Sequence, residues 1–185
     1  MTNLPPVEIL AFTTLTRSEM AAIHRLVNSV WPNAAPFEDQ VDARLKGAHQ
    51  ADSPQCSGRQ AHVIRHLGRV QAVATTFVRE ISDRDGRRFP VLALASVCSD
   101  PDCRGQGLGQ AVVRSAFARV GRDAPVSFFQ TDVPDFYARL GCRLVDNPLI
   151  NSTSDAKPQW AAHLMIFPDG PDWPHGTLDL LGGGW

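Results

Sequence analysis

The sequence predicts a single α/β (α+β) domain, and three observations support that class. Short β-prone runs alternate with segments of helical periodicity along most of the chain. One apolar run, Val91 to Cys98, leads through a glycine-rich turn into a helical pattern that ends at Val120. The length of 185 residues suits one domain with a full core, and no repeat or linker divides the chain.

Composition narrows the classes of function. The net charge of −1 gives no electrostatic footprint for nucleic acid. No apolar run reaches membrane-spanning length, and the first residues lack the pattern of a signal peptide, so we expect a cytoplasmic location. The cysteines form no CxxC pair and have no histidine at zinc spacing, so we expect no metal site. They are Cys56, Cys98, Cys103 and Cys142.

The N-terminal segment predicts a strand followed by a helix. Val7 to Thr14 is β-prone. Thr16 and Glu19 have the spacing of a capping box, which marks a helix start. Apolar residues then recur at helical spacing as far as Val30, and Trp31-Pro32 ends the pattern.

A second helix, a loop and an antiparallel meander are predicted next. The helix covers Phe37 to Leu45 and ends at Gly47, and Ala51 to Gln60 has loop composition. Turns at Gly68-Arg69 and at Asp83 to Gly86 separate the three strands of the meander. These strands cover 61–67, 70–81 and 90–98.

The C-terminal half predicts two more helices and three more strands. The helices cover 106–120 and 133–140, and Gly141 ends the second. The first strand covers 126–130, the second begins at 142–145, and the last strand of the chain covers 160–167. Asn147 to Pro158 is predicted to be a loop, and a tail rich in Pro and Gly starts at about residue 168.

The turn Arg104-Gly105-Gln106-Gly107-Leu108-Gly109 predicts a phosphate site. Glycine lets the backbone approach a ligand, and the following helix start offers unpaired N–H groups at the positive end of its dipole. Arg104 adds a guanidinium. A Walker loop is excluded because Gln110 and Ala111 follow Gly109, and a dinucleotide fingerprint is excluded because Gln110 fills its third glycine position.

Arg-x-x-Gly-x-Gly between a strand and a helix resembles the acyl-CoA pyrophosphate motif of the GNAT N-acetyltransferase superfamily. Phe136 to Cys142 resembles the family's FYxxxGF segment, with Cys142 where an aromatic residue is usual. The element order from Val7 to Phe167 is that of the GNAT fold. The resemblance implies one GNAT domain over residues 1–185 with a mixed central sheet of about six or seven strands and helices on both faces.

The resemblance also implies a reaction. It implies acetyl-CoA as cosubstrate and direct transfer of the acetyl group to a small amine in a ternary complex, and it leaves a homodimer open. A narrower resemblance is to aminoglycoside 2′-N-acetyltransferases. It is based on Phe37-Glu38-Asp39, on the RGQ-type loop and on a chain that ends in Trp185.

The resemblance assigns roles to three parts of the chain. Backbone N–H groups of Val97, Cys98 and Ser99 would face the thioester carbonyl and the pantetheine. The turn from Arg104 to Gly109 would bind the pyrophosphate. Tyr137, the single tyrosine of the chain, would protonate the departing thiolate. We expect neighbouring Phe136 to face the core while Tyr137 faces the cleft.

The general base is open, because Ala95 stands where many family members carry a glutamate. Glu38 and Asp39 are candidate catalytic acids near the acceptor, the carboxylate of Trp185 is a second source, and an amine of low pKa would need no base. Trp160 and Trp185 are candidate contacts to the acceptor. Further candidates for the base are His49, Asp132 and His163.

Three other functions remain open. Ala95 favours a module that binds acyl-CoA without turnover, since the usual carboxylate is missing. An acyltransferase for a longer acyl chain shares the same turn, because spacing does not reveal pocket volume. A more remote alternative is an adaptor without ligand, which failure to bind CoA would favour.

Overall fold

The computed structural model describes residues 4–49, 55–155, 157–170 and 172–182. Within them the chain forms nine strands and four helices. The helices are α1 (Arg17–Val30), α2 (Phe37–His49), α3 (Leu108–Phe117) and α4 (Pro134–Ala138). The strands are β1 (Glu8–Ala11), β2 (Ser57–His66), β3 (Arg69–Ser82), β4 (Arg88–Ser99), β5 (Ser127–Thr131), β6 (Arg143–Val145), β7 (Leu149–Ile150), β8 (His163–Phe167) and β9 (Leu178–Asp179).

The strands form one mixed sheet in the order β1-β2-β3-β4-β5-β8-β6, and β9 pairs with both β3 and β7. β1 is antiparallel to β2, and β8 is antiparallel to β5 and to β6. β4 is parallel to β5, in a register that joins Leu92 to Ser127 and Ala93 to Phe128. The predicted α/β class with a mixed sheet is confirmed, but the sheet has nine strands instead of six or seven.

The chain divides into two compact units. Unit 1 consists of residues 1–52, 58–76 and 95–116, and unit 2 consists of residues 53–57, 77–94 and 117–185. No helix among the described residues is both long and apolar enough to cross a membrane.

The core of unit 1 lies beneath α1. The predicted capping box is present, because Thr16 Oγ1 accepts from the Glu19 N–H and the Glu19 carboxylate accepts from the Thr16 N–H. The helix ends at Trp31 as predicted, with its N–H bonded to the Val27 carbonyl. The buried apolar face of α1 packs with residues of β2 and β3, among them Ala61, Val63, Val70 and Val73.

Unit 2 has its own apolar core and a polar clasp on the C-terminal segment. Ile81, Val91, Phe128, Ile166, Leu178 and Leu180 belong to this core. Buried Asn147 forms the clasp, because its Nδ2 donates to the carbonyls of Pro174 and Gly176 at 2.9 and 2.7 Å. Its Oδ1 accepts from the indole N–H of Trp173 at 2.6 Å.

Several predicted boundaries in unit 1 are wrong. The first strand ends at Ala11, where a 3-10 turn begins. The second helix continues through Gly47, which keeps a negative φ and therefore does not act as a stop. Of the predicted loop 51–60, residues 57–60 belong to β2 and residues 51–54 lie outside the described part. The hairpin turn is Leu67-Gly68, both with positive φ, as in a type I′ turn.

The C-terminal predictions need a similar correction. The segment 147–158 contains β7, and the tail contains β9, so the strand at 163–167 is not the last. Both missed strands are two residues long, too short for an alternating pattern to show. β8 begins at His163, three residues later than predicted, and leaves Trp160 outside the sheet.

Candidate functional site

Asp100 shapes the connection between β4 and the glycine-rich turn. Its N–H donates to the Gln71 carbonyl at 2.8 Å, which ties the end of β4 to β3. Its side chain accepts from the Asp102 N–H at 3.1 Å, and its carbonyl accepts from the Cys103 N–H at 2.9 Å. The chain therefore enters the turn along a fixed path.

The turn itself depends on two glycines in the left-handed region. Gly105 has φ +78° and Gly107 has φ +82°, conformations that cost most other residues about 1 kcal/mol or more. A Cβ at Gly105 would meet no atom within 4 Å, and one at Gly107 would meet Leu4 at 3.8 Å. Helix α3 starts directly afterwards, with the Ala111 N–H bonded to the Gly107 carbonyl.

This arrangement gathers backbone N–H groups on an open surface. In the described part of the chain, no acceptor is found for the N–H groups of Gly105, Gln106 and Gly107. The first N–H groups of α3 have no partner within the helix either. Arg104 is exposed at the start of the turn. Donors, helix dipole and guanidinium together have the chemistry that a diphosphate needs, and the binding of a diphosphate by Arg104 to Gly109 stays a prediction.

The last residues of β4 open toward solvent. Val91 to Leu94 are buried, whereas Ala95, Ser96 and Val97 are only half-buried. Ser96 has φ +50°, which breaks the alternation of a regular strand and is rare for a residue with a side chain. The interruption precedes Val97, Cys98 and Ser99, the segment expected to face the thioester.

The Cys98 side chain is not suited to nucleophilic work. It is 7% exposed, and burial raises the pKa of its thiol to about 12, although Arg104 acts in the opposite direction. A neutral thiol is a weak nucleophile. The predicted role of the backbone N–H groups of Val97, Cys98 and Ser99 therefore does not compete with a reactive thiol, and it stays a prediction.

A small cavity of about 110 Å³ lies beside Ser96, entirely within unit 1. Met20, Ile23 and Val27 of α1 give it an apolar wall. Its polar lining comes from five elements and comprises His24, Arg44, Arg59, Thr75 and Ser96.

His24 presents one unsatisfied nitrogen. The residue is 2% exposed, and its Nε2 lies 2.9 Å from Gln40 Oε1. Gln40 Nε2 donates to the Ala35 carbonyl, which fixes the amide with Oε1 toward the imidazole. His24 Nε2 must then carry the proton and Nδ1 the lone pair, and Nδ1 has no hydrogen-bond partner in the described structure. Burial, followed by the charge of Arg44, lowers the pKa of His24 and keeps it neutral.

The two arginines of the cavity are held differently. The Arg59 guanidinium lies over the Phe12 ring, with 4.4 Å from Cζ to the centroid. Arg44 as a residue remains exposed, yet the partial burial of its guanidinium lowers its pKa. Among the described residues, Arg44 forms no ion pair. The cavity is therefore lined by positive charge.

Tyr137 lies in unit 2, in an aromatic cluster. It is 5% exposed, and its ring centroid is 4.7 Å from that of Phe129 and 4.8 Å from that of Phe136. We expected Phe136 to face the core and Tyr137 to face the cleft. In the structure Phe136 is half-buried and Tyr137 is buried. Gly141 ends this segment with φ +87°, as predicted.

The predicted acids of α2 do not reach the cavity. Glu38 accepts from Arg17 at 2.6 Å on the solvent side of the helix, and Asp39 is exposed as well. Neither lines the cavity beside Ser96. Glu38 and Asp39 precede Arg44 by six and five residues on α2. At these spacings their side chains lie on a different face of the helix from that of Arg44.

The other candidate residues do not line the cavity beside Ser96 or lie outside the described residues. Trp160 is 59% exposed and precedes β8, so it is not a buried pocket wall. Trp185 and the His49 side chain lie outside the described residues. Asp132 accepts from the Ala162 N–H at 3.1 Å, a role in the backbone fold. His163 lines a separate cavity of about 1100 Å³ in unit 2.

Sequence reasoning missed His24, Arg44 and Arg59. A signal for His24 was present, because it occupies the apolar face defined by Met20, Ile23 and Val27. A polar residue on such a face needs a reason to be buried. No comparable signal marks the arginines, since their convergence depends on how α2 and β2 pack.

Comparison with known proteins assigns the fold. A family model described as an acetyltransferase (GNAT) domain matches residues 11–145. No curated protein shows significant similarity to the chain.

Solved structures agree at low sequence identity. A GCN5-related N-acetyltransferase from Kribbella flavida is 22% identical with a TM-score of 0.57, over 75% of this chain but only 33% of that protein. An acyl-CoA N-acyltransferase from Pseudomonas aeruginosa is 17% identical with a TM-score of 0.56, over 87% of this chain and 97% of the other.

A GNAT family N-acetyltransferase (YhbS) from Escherichia coli, crystallised in complex with CoA, is 15% identical with a TM-score of 0.62. That alignment covers 97% of this chain and 91% of the other. These likenesses show the fold, and the matched model spans more than two thirds of the chain. The chain belongs to the GNAT acetyltransferase family.

Proposed function

We propose that the protein is an acetyl-CoA-dependent N-acetyltransferase that acts on a small amine by direct transfer in a ternary complex. The observation that carries this proposal is the open turn at Arg104 to Gly109, in which the N–H groups of Gly105, Gln106 and Gly107 have no acceptor in the described part of the chain. The turn stands between β4 and α3, where a diphosphate meets both the amides and the helix dipole.

The reaction makes one bond and breaks one. The amine nitrogen attacks the thioester carbonyl carbon, the C–N bond forms, the C–S bond breaks, and CoA leaves as a thiolate that takes up a proton. The amine must lose a proton to a base. The backbone N–H groups of Val97 to Ser99 are the proposed donors to the oxyanion of the intermediate, and they need no reorganisation because β4 holds them.

His24 is the proposed acceptor of the amine proton, directly or through water. Its Nδ1 carries a lone pair without a partner in the described structure, and it lines the same cavity as Ser96, the residue before Val97. Ala95 cannot serve, and Glu38 is bound to Arg17. A neutral imidazole near physiological pH is a suitable base.

Tyr137 as the acid for the thiolate stays a prediction from the family resemblance. Its burial in unit 2 is compatible with a hydrogen-bond donor shielded from water, and equally with a core aromatic. An aminoglycoside acceptor has less support, since a polycation gains nothing from a cavity lined by Arg44 and Arg59.

The test measures CoA binding and thiol release separately. Calorimetry gives the Kd for CoA, and a thiol reagent follows acyl transfer from acetyl-, propionyl- and hexanoyl-CoA to a panel of amines. We expect His24→Asn to lower kcat/KM about 100-fold or more with an unchanged Kd for CoA. His66→Asn, at an exposed histidine of β2, is the matched control and should change neither.

The alternatives predict different outcomes in the same assay. A binding module would bind acetyl-CoA and release no thiol with any amine. An acyltransferase for longer chains would prefer hexanoyl-CoA. A protein that binds no CoA at millimolar concentration would refute the proposal altogether.

A further inference from the structure

The cavity beside Ser96 has a charge that the transfer reaction alone does not require. Two guanidinium groups, from Arg44 on α2 and Arg59 on β2, line a space of about 110 Å³. No described residue in that lining carries a carboxylate. Much of the rest of the wall is apolar, from Phe12, Met20, Ile23 and Val27.

Of the two arginines, Arg44 gives the stronger indication that the cavity binds an anion. Arg44 lines the cavity, and partial burial of its guanidinium lowers its pKa although the residue as a whole is exposed. A bound anion would favour the charged form of that guanidinium. Acidic residues are available on the same helix, but Glu38 and Asp42 both bind Arg17, at 2.6 and 2.9 Å. Glu38 and Asp42 thus pair with a surface arginine, and the third acid of the helix, Asp39, is exposed and does not line the cavity.

Arg59 approaches the same space from the sheet. Its stacking on Phe12 restricts where the guanidinium can go, so less conformational entropy is lost when an anion binds. Planar forks on two different elements match the two oxygens of a carboxylate. His24 adds an acceptor nitrogen, not a charge, because it is held neutral.

We propose that the acceptor is a small amine that also carries a carboxylate, such as an amino acid, and that Arg44 and Arg59 bind the carboxylate. This rests on the proposed function, because it names the substrate class of the same site. The cavity volume is about that of three or four water molecules in the liquid, which limits the group bound there to a small one.

The experiment compares amines that differ only in a carboxylate. β-Alanine against ethylamine, 4-aminobutyrate against propylamine, and lysine against cadaverine form three matched pairs, and 2-aminoethylphosphonate tests a different oxyanion. We expect the carboxylate member of at least one pair to have a kcat/KM at least tenfold higher. Arg44→Ala should remove 10- to 100-fold of that preference, as expected for charge-assisted hydrogen bonds.

Lys46→Ala is the control, since Lys46 is an exposed cation two residues along α2 that does not line the cavity. It should keep the preference. Arg44→Lys, which retains the charge but not the fork, should recover only part of it. Unchanged melting temperature and CoA affinity of each variant confirm that folding and the diphosphate site are intact.

Failure of this inference and failure of the proposed function look different. If amines are acetylated but matched pairs are equal, or the phosphonate alone is preferred, the carboxylate assignment is overturned and the transferase stands. If no amine is acetylated, the proposed function fails, and NMR titration of the CoA-loaded protein with the same pairs still tests whether the cavity binds a carboxylate. Carboxylate binding that Arg44→Ala abolishes supports the site, and equal or absent binding overturns it.

Discussion

Replacing Gly105 by alanine tests the turn at its most specific point. Gly105 has φ +78°, and a Cβ there meets no protein atom within 4 Å. Gly86, in the turn between β3 and β4, has φ +79° and equally open surroundings. The two glycines therefore impose the same backbone cost on alanine, but only one of them belongs to the proposed diphosphate site.

The expected magnitudes follow from this match. The left-handed conformation costs each alanine variant about 1–2 kcal/mol, which corresponds to a loss of roughly 2–8 °C in Tm for a chain of this size. In Gly105→Ala the methyl group additionally occupies space that the diphosphate needs and weakens one or two amide hydrogen bonds to an anion. At about 1.5–3 kcal/mol for such a bond, the Kd for CoA should rise roughly 10- to 100-fold.

Calorimetric titration with CoA, beside a thermal melt of each variant, measures both effects. Gly86→Ala should lose stability and keep its CoA affinity. A Gly105→Ala protein that binds CoA within twofold of the unmodified chain would refute the assignment of these amides to the diphosphate, whatever its stability.

Three further outcomes are expected. Asn147→Ala should cost about 1–3 kcal/mol of unfolding free energy, because two carbonyls and an indole N–H lose the buried amide that pairs with them. Asn147→Asp should cost no less, since a carboxylate cannot donate to the carbonyls, and denaturant titration measures both changes. Native Cys98 should resist iodoacetamide at pH 8, because a pKa of about 12 leaves a thiolate fraction on the order of one in ten thousand, and its labelling should increase with pH. Rapid labelling of the native protein, detected by mass spectrometry, would contradict the burial of this thiol. Tyr137→Phe should lower kcat about tenfold or more with little change in CoA affinity if Tyr137 supplies a proton, and an unchanged kcat would assign it to the aromatic core.

Local chemistry made much of the fold predictable. The capping box at Thr16, the stop at Trp31 and the helix end at Gly141 act over a few residues, and each is present. The glycine-rich turn was predictable for the same reason, because its N–H groups and the helix start are neighbours in sequence.

Features that depend on distant packing were not predictable. β9 exists because Ser82 of β3 and Leu149 of β7 pair with it, not because its own two residues show a period. Glu38 was expected near the acceptor on a resemblance, yet Arg17, 21 residues away, holds it on the surface. The polar cavity residues come from five elements, and only His24 departs from its local pattern.

The charges of the cavity arginines affect protonation of His24, and a last prediction follows from this effect. An imidazole that takes up a proton beside Arg44 adds a positive charge to a cavity that two guanidinium groups already line. A bound carboxylate offsets that charge, so it should favour the protonated form of His24 that arises in the transfer step.

The carboxylate is therefore expected to act in the transition state as well as in binding. For each matched amine pair, removal of the carboxylate should lower kcat and not only raise KM. In His24→Asn the effect on kcat should disappear while the effect on KM remains, because the arginines still bind the acceptor. Steady-state kinetics of both proteins with β-alanine and ethylamine measure this difference. A carboxylate effect confined to KM in the unmodified protein would mean that the arginines hold the acceptor without any influence on the base.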